Sequence, residues 1–353
     1  MKNVSNRIEW LDSLRAVAIL AVIVIHISSP LLNVTFNKDM GYWWIANVLD
    51  SAVRFAVPLF LMISGATLLS RQYKLKDFYK KRFLRVVLPL LFYMLVYYVF
   101  RWFSLPSTMQ PLGSLNTLSW AGELFLNEGI SKHLWFVYMI IILYLFTPAL
   151  GAFIRKLKPE MMVFLLAAWV LMCNISQGFS VDIYSWRAED LLGKLYMYFL
   201  YIGYMVLGYY FYNIFYVSKN IRLTASILYL ITVVVAVLVV YYTSHQKSKL
   251  DLAFYNYLNL NTIIQASAVF IAFKHTSIRS GWVRKALQTI GDYSYGIYLV
   301  HILVLGIFYN VGIFWTMTHP LLSLPVLLIL TLAVSIVLIW ILRKIPYGKY
   351  ISG

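Results

Sequence analysis

The sequence of 353 residues has little charge and almost no cysteine. Charged residues make up 12% of the chain, about half of the roughly 25% that is usual in soluble domains. That is too little to cover a surface facing water, which excludes a soluble enzyme. The single cysteine, Cys173, excludes intramolecular disulfides and metal sites built from several cysteines. The H-E-x-x-H, P-loop and G-x-S-x-G motifs are also missing, so nothing supports zinc hydrolysis, nucleotide hydrolysis or a serine elbow.

Hydrophobic residues are abundant and are arranged in long runs. Hydrophobic residues make up 61% of the chain and the mean hydropathy is +0.75. Runs of about 20 apolar residues, the length that spans a bilayer, lie near 13–32, 53–70, 86–105, 134–154, 160–178, 195–217, 223–243, 254–273, 289–312 and 321–342. No linker or low-complexity tract separates them. The sequence predicts an all-α, polytopic membrane protein of about ten transmembrane helices, with residues 1–353 forming a single domain.

The formal charge of +17 is distributed unevenly along the chain. With the N-terminus inside, the inner segments hold 22 of the 30 Lys and Arg residues and 5 of the 13 acidic ones. The outer segments, whose longest loops are expected near 33–52 and 106–133, are neutral overall. This asymmetry predicts a multi-pass membrane protein with cytoplasmic termini. The basic excess therefore indicates contact with anionic membrane lipids and not with nucleic acid.

Arg15 and His26 lie in the first apolar run, with ten residues between them. On one helix they share a face and are separated by about 16 Å along the axis, which puts His26 near mid-membrane. Ionisable groups at that depth are costly and mark functional sites by default. We take both as candidate catalytic residues. The alternative is that His26 only packs against a neighbouring helix with a hydrogen bond, and that Arg15 only contributes to the positive charge on the inner side.

A second candidate is the basic segment Lys80–Arg85, which contains Arg82 and Arg85. At i and i+3 the two arginines should share one face of the first turn of a helix. Two guanidinium groups at a helix N-terminus suit an anion such as phosphate. Ordinary positive-inside charge would produce the same pattern, so both interpretations remain open.

Ser294, Tyr298 and His301 recur at i, i+4 and i+7 near the middle of the ninth run. This spacing places them on one helical face, with His301 at a depth similar to that of His26. The two histidines are expected to line one cavity. A structural polar seam between helices is the alternative.

His133 and Trp135 lie where the fourth run begins, which is the expected outer mouth of the bundle. An indole ring and an imidazole at that place can bind a sugar by stacking and hydrogen bonding. An aromatic belt at the membrane interface would have the same composition. No set of residues with the spacing of metal ligands occurs, so no metal site is predicted.

Five segments in order resemble the acyltransferase 3 family of bacterial membrane O-acyltransferases. They are Glu9–Arg15 leading to His26, Val57–Gly65, the Arg82/Arg85 pair, His133–Phe136 and Ser294–His301. The resemblance runs from residue 7 to about 305. Within the family it is greatest to enzymes that O-acetylate surface polysaccharides, such as the enterobacterial common antigen acetyltransferase.

The resemblance implies a reaction and its substrates. Acyl-CoA, usually acetyl-CoA, is the cytoplasmic co-substrate, and no permanently bound cofactor is expected. The acceptor is a hydroxyl of a cell-surface glycan or lipid-linked oligosaccharide. Succinyl or another short acyl group is an alternative donor group.

Roles for the candidate residues follow from their depth. Arg82 and Arg85 at the inner mouth would hold the coenzyme A phosphates. His26 would act as general base on a sugar hydroxyl or carry the acyl group itself. Tyr298 or His301 would donate a hydrogen bond to the thioester oxygen as it becomes anionic.

Two other classes suit a ten-helix chain with buried polar residues. One is a transporter or flippase of lipid-linked sugars, but no internal repeat relates the two halves of the sequence. The other is a membrane sensor whose histidines respond to pH. Nothing in the sequence favours the sensor.

Overall fold

The computed structural model describes residues 8–104, 130–176 and 191–353, and within these residues no strand occurs. The α-helices are α1 Glu9–Thr35, α2 Met40–Ala52, α3 Ala56–Leu68, α4 Leu75–Arg82, α5 Leu88–Ser104, α6 Trp135–Ile154, α7 Pro159–Ser176, α8 Leu191–Leu200, α9 Ile202–Asn213, α10 Lys219–Gln246, α11 Leu260–Phe273, α12 Gly281–Asn310 and α13 Pro320–Lys344. A π-helical turn, Phe83–Val87, joins α4 to α5, and a short 3-10 turn, Lys132–Leu134, precedes α6.

Each of the ten predicted apolar runs is largely helical in the structure, which confirms an all-α polytopic membrane protein. Among the described residues, eight helical stretches are long and apolar enough to cross a membrane. The runs near 195–217 and 254–273 are the other two. They form the shorter helices α8, α9 and α11.

The run near 195–217 is divided at Tyr201 for a visible reason. In a continuous helix the carbonyl of Leu200 would accept a hydrogen bond from the amide of Tyr204. Here the indole N–H of Trp169 donates to that carbonyl at 2.6 Å, and the amide of Tyr204 bonds to Tyr201 instead. A side chain from a neighbouring helix therefore replaces one helical hydrogen bond.

The expectation of a long outer loop over 33–52 is wrong for most of its length. Residues 40–52 form α2, whose N-terminus is capped by the carboxylate of Asp39. A short turn over residues 53–55 separates α2 from α3, so the second membrane crossing is a broken helix, Met40–Leu68. Discontinuous membrane helices place polar backbone at depth, where side chains must satisfy it.

Helix α1 is central and packs against α2, α3, α12 and α13. Helix α3 crosses α9 at very short range. A Cβ atom added to Gly65 would lie 1.9 Å from the carbonyl oxygen of Met205, and one added to Gly208 would lie 2.0 Å from that of Met62. Only glycine permits this backbone approach, as is common where membrane helices cross.

The start of α1, the start of α12 and the end of α13 meet at one end of the bundle, which we call the inner end. Glu9 lies 3.6 Å from Arg284, and Arg343 donates a hydrogen bond to the carbonyl of Asp292 at 3.2 Å. The charge count assigns this end to the cytoplasm, and that orientation stays a prediction. Lys2, Arg7 and Arg187, which entered the count, lie outside the described residues.

Candidate active site

A cavity of about 920 Å³ opens at the inner end, between α1, α3, α4, α6 and α12. Cationic side chains dominate its wall, and the acidic ones are Asp77 and Asp292. The cations that line it are Arg15, Arg71, Lys74, Lys81, Arg82, Arg85, Arg343 and Lys349. A cavity lined by one sign of charge raises the local concentration of oppositely charged ligands. Its volume lies near the upper end of the range of small-molecule sites.

Arg82 and Arg85 both line this cavity, but the expected helix N-terminus is wrong. The helix begins seven residues earlier, at Leu75, and continues through Arg82 into the π-helical turn that contains Arg85. The helix dipole therefore adds nothing at these arginines. The wider π turn replaces the α-helical spacing assumed for the pair, and such turns are common at functional sites.

The guanidinium group of Arg82 is held by aromatic rings and not by a carboxylate. Its central carbon lies 5.3 Å from the ring of Phe78 and 5.1 Å from that of Tyr144. Its Nε atom is buried and has no hydrogen-bond partner among the described residues. A positioned cation with an unused donor suits an anionic ligand.

Arg15 lines the same cavity, in agreement with its predicted place on the face of α1 below His26. Its guanidinium group donates to the carboxylate of Asp12 at 2.7 Å, and the side chain is about one-third exposed. Arg15 is therefore held in place by its own helix and still reaches the cavity.

Three histidines meet inside the bundle, beyond the closed end of the cavity. The ring centroids of His26 and His301 are 5.1 Å apart, as the helical phases of α1 and α12 predict. His133 lies 5.3 Å from His301 and 6.3 Å from His26. His301 and His133 are buried, whereas His26 is partly exposed. We call these three residues the histidine cluster.

The hydrogen bonds of His301 determine which of its nitrogens carries the proton when the ring is neutral. Nδ1 lies 2.7 Å from the carbonyl oxygen of Tyr298 and 3.1 Å from that of Ile297. A carbonyl only accepts, so Nδ1 carries the hydrogen. Nε2 is then a lone-pair acceptor, and it is buried without a partner among the described residues.

His133 belongs to this cluster and not to an open outer mouth. Its exposed fraction is 5%, and its Nδ1 lies 2.8 Å from the hydroxyl oxygen of Ser131. Trp135 is buried too, and its ring stacks on that of Tyr257 with centroids 5.9 Å apart. Sugar binding by His133 and Trp135 stays a prediction, but neither side chain is presented on the surface in this structure.

A layer of aromatic rings separates the cavity from the histidine cluster. Phe60, Phe136 and Tyr298 line the cavity, which none of the three histidines lines. The rings of Phe60 and Phe136 are 6.1 Å apart, and those of Phe136 and Tyr298 are 5.4 Å apart. The Tyr298 ring lies 5.5 Å from that of His133, whose backbone carbonyl accepts the Tyr298 hydroxyl. We call these three residues the aromatic layer.

Ser294 lines the cavity one turn of α12 before Tyr298, but His301 on the same face does not, so the prediction that His26 and His301 line one cavity is wrong, although the two rings do meet. The donor roles expected for Tyr298 and His301 do not match the observed bonds. The hydroxyl of Tyr298 and the Nδ1 hydrogen of His301 both donate to backbone carbonyls. In this arrangement His301 offers a base to the cluster and not a donor.

Sequence reasoning missed a buried polar network beside the histidine cluster. The carboxylate of Asp50, which is 0% exposed, pairs with Arg54 and accepts hydrogen bonds from Ser28 and Ser29 on α1. These serines follow His26 by two and three residues. The signal in the sequence is an acid and a base, Asp50 and Arg54, at i and i+4. The prediction places Asp50 in the outer loop near 33–52 and Arg54 at the start of the run near 53–70.

Pro30 on α1 affects the backbone at the same place. Because proline has no N–H, the carbonyl of His26, four residues earlier, loses its helical donor. Helix α1 nevertheless continues to Thr35. The proline therefore leaves a polar backbone atom of the candidate catalytic residue available inside the bundle.

Comparison with known proteins identifies the family. A family model described as an acyltransferase domain, that of acyltransferase 3, matches residues 8–340. The chain therefore belongs to this family and is a membrane acyltransferase. Curated proteins and solved structures give no match. The family resemblance seen in the sequence is thus confirmed, whereas the similarity to the common antigen acetyltransferase stays a prediction.

Proposed function

We propose that this protein transfers an acetyl group from cytoplasmic acetyl-CoA to a hydroxyl of a cell-surface or lipid-linked glycan in the bacterial inner membrane. The observation that carries this is one continuous arrangement. A cavity lined by eight cations opens at the inner end, and its far end lies one aromatic layer from three histidines.

The basic wall suits the phosphates of coenzyme A. Arg82 and Arg85 line the cavity from α4 and the π turn, and Arg15 lines it from α1, so phosphate groups in the cavity could meet guanidinium groups from more than one helix. Bidentate donors of this type are the preferred partners of phosphate. The acyl end of the donor would then point along the cavity toward the aromatic layer.

The histidine cluster supplies the base that the reaction needs. In the transfer, the C–S bond of the thioester breaks and a C–O bond to the sugar forms. The sugar hydroxyl loses a proton, and the thiolate of coenzyme A gains one. His26, the partly exposed member of the cluster, takes this proton as general base or first accepts the acyl group itself. Both routes use the same residue.

His301 is placed to support His26 from α12. Its Nδ1 is fixed by backbone carbonyls, so the lone pair on Nε2 is directed away from its own helix. The His26 ring lies 5.1 Å away, and none of the described residues accepts or donates a hydrogen bond to it. A small rotation of His26 would let its N–H donate to His301 and leave its other nitrogen as the base.

The test follows labelled acetyl-CoA with the purified protein in detergent and native glycan extract. The wild type should release coenzyme A and label the glycan, and His26→Ala should lower the rate by about 10²–10⁴-fold, the range for loss of a general base. His319→Ala is the matched control, because His319 is exposed at the start of α13. Transfer by His26→Ala at the wild-type rate would exclude His26. A wild type that neither binds nor consumes acetyl-CoA would exclude the proposed donor.

A further inference from the structure

The closed end of the cavity differs chemically from its mouth. Eight cations line the cavity, whereas on the side of the histidine cluster, which we call the closed end, the lining is mainly apolar or aromatic: Phe60, Ile63, Phe136, Ile140 and Tyr298, with Ser64 and Ser294 beside them. If the coenzyme A phosphates occupy the mouth, the thioester end of the donor must lie against these side chains. They are then the groups that meet the acyl chain.

The aromatic side chains at the closed end are tightly packed. Phe136 is 5% exposed and Tyr298 is 4% exposed, and their rings contact each other with centroids 5.4 Å apart. Phe60 closes the other side of Phe136 at 6.1 Å. The Tyr298 hydroxyl donates to the carbonyl of His133, which holds its ring beside both the cavity and the histidine cluster.

The closed end disfavours a charged acyl group as well as a long one. A carboxylate carried on the acyl group would enter a region walled mainly by two phenylalanines and two isoleucines, where Ser64, Ser294 and Tyr298 offer hydroxyl groups but no positive charge. Burying an ionised group without a partner costs far more than burying a methyl group. The cations that could pair with it line the mouth, where the phosphates would already hold them.

We propose that the aromatic layer, with Phe136 as its central residue, restricts the donor to short, uncharged acyl groups. The inference rests on the proposed function, since it concerns the acyl end of the same donor. It selects acetyl over both longer chains and succinyl. Phe136 is thereby a specificity-determining residue that contacts the acyl group and takes no part in proton transfer.

The experiment compares acetyl-, butyryl- and succinyl-CoA at a single glycan acceptor and reads kcat/KM for each. The wild type should prefer acetyl to both others. Phe136→Ala should raise the butyryl-to-acetyl ratio by about 10–100-fold, because one or two methylenes in an apolar pocket discriminate by that order. It should leave succinyl a poor donor. Phe153→Ala on the same helix, with a side chain 54% exposed, is the control and should leave every ratio unchanged.

Phe136→Leu serves as the second variant if Phe136→Ala does not fold, which size-exclusion chromatography reports. It should shift the ratio in the same direction by a smaller factor. A wild type that uses butyryl or succinyl as well as acetyl would overturn the inference, as would an unchanged ratio in the folded variant. In those cases acetyl transfer itself persists and the proposed function stands. No turnover of any acyl-CoA by the wild type would overturn both.

Discussion

Two polar regions of this bundle follow opposite rules. The inner cavity holds eight cations and two carboxylates and is open to water. Beyond the aromatic layer, the polar groups are mostly buried and the charged ones are paired. Asp50 pairs with Arg54, and in the described part of the chain no carboxylate forms an ion pair with a histidine of the cluster.

The difference has a physical cause. An excess of positive charge costs little where water screens it, and there it attracts anionic ligands. Inside the membrane an unpaired charge is very costly, so polar groups persist only if they are paired or neutral. The first region is therefore suited to capturing a charged donor and the second to positioning reacting groups. The predictions below test this division.

The largest expected effect is on turnover in the histidine cluster. Replacing His301 by Ala should lower kcat by at least about 100-fold, because the base that supports His26 is lost. The KM for acetyl-CoA should change by less than about 3-fold, because His301 does not line the cavity. Steady-state kinetics separates the two parameters. A rise in KM with unchanged kcat would mean that the cluster binds the donor.

The next effect is on stability, at the pair beside the cluster. Asp50→Asn leaves the mostly buried guanidinium group of Arg54, whose side chain is 12% exposed, beside a neutral amide, and breaking a buried pair in this way costs about 3–5 kcal/mol. Thermal unfolding in detergent should show the loss. A double variant, Asp50→Asn with Arg54→Met, should recover a large part of it. Equal stability of wild type and Asp50→Asn would contradict the description of this region as charge-matched.

A smaller effect is expected at the cavity mouth. Arg82→Ala combined with Arg85→Ala should raise the KM for acetyl-CoA about 10–100-fold, since a charged hydrogen bond contributes about 1.5–3 kcal/mol. The KM for the glycan should change little. Arg279→Ala with Lys285→Ala is the matched control, because both are exposed inner cations outside the cavity. Equal changes in both Michaelis constants would argue against phosphate binding.

The smallest effect should occur at a counterpart of the Asp50 pair in which the cation, Lys247, is exposed. Asp251 bonds to Lys247 at 2.5 Å with the same i, i+4 spacing, and that bond holds the pKa of Asp251 below its usual range. Its stabilisation is present above the unfolded pKa of about 4 and is lost as pH falls through the lower folded value. Asp251→Asn should cost less than about 0.5 kcal/mol at neutral pH. A loss comparable to that of Asp50→Asn would show that burial does not set the difference.

Much of the fold is predictable from the sequence, because a membrane-spanning helix is recognised by the length and apolar composition of one continuous segment. Apolar runs of sufficient length mark helices wherever they lie, so each of the ten runs is largely helical, and eight of them fall in helical stretches long enough to cross a membrane among the described residues. The break at Tyr201 was not predictable, because it depends on an indole N–H from α7 reaching a carbonyl in another run. Helix α2 was not predicted for a similar reason. Its polar residues are typical of a loop, although Asn47, Asp50 and Ser51 are all buried in the structure.

The candidate site, too, was predictable from the sequence only where the prediction depends on a single helix. Helical phase brought His26 and His301 to matching depths and correctly predicted that they meet, because 3.6-residue periodicity fixes direction within a single helix. It could not place His133 beside them, since that residue lies in a 3-10 turn whose direction no periodicity describes. The supposed helix N-terminus at Arg82 failed for another reason: the polar start of α4, Leu75–Arg82, carries no apolar signal.

The sequence by itself determined that this protein lies in a membrane, that it is all-α and which family it belongs to, and it predicts the side on which the positive charge lies, because these follow from composition and local pattern. Only the tertiary structure decided that eight scattered cations form one cavity, that three histidines form one cluster and that an aromatic layer lies between them. These facts join side chains from α1, α3, α4, α6, α12 and α13. Contacts between helices far apart in the chain depend on how whole surfaces pack, which no local pattern encodes.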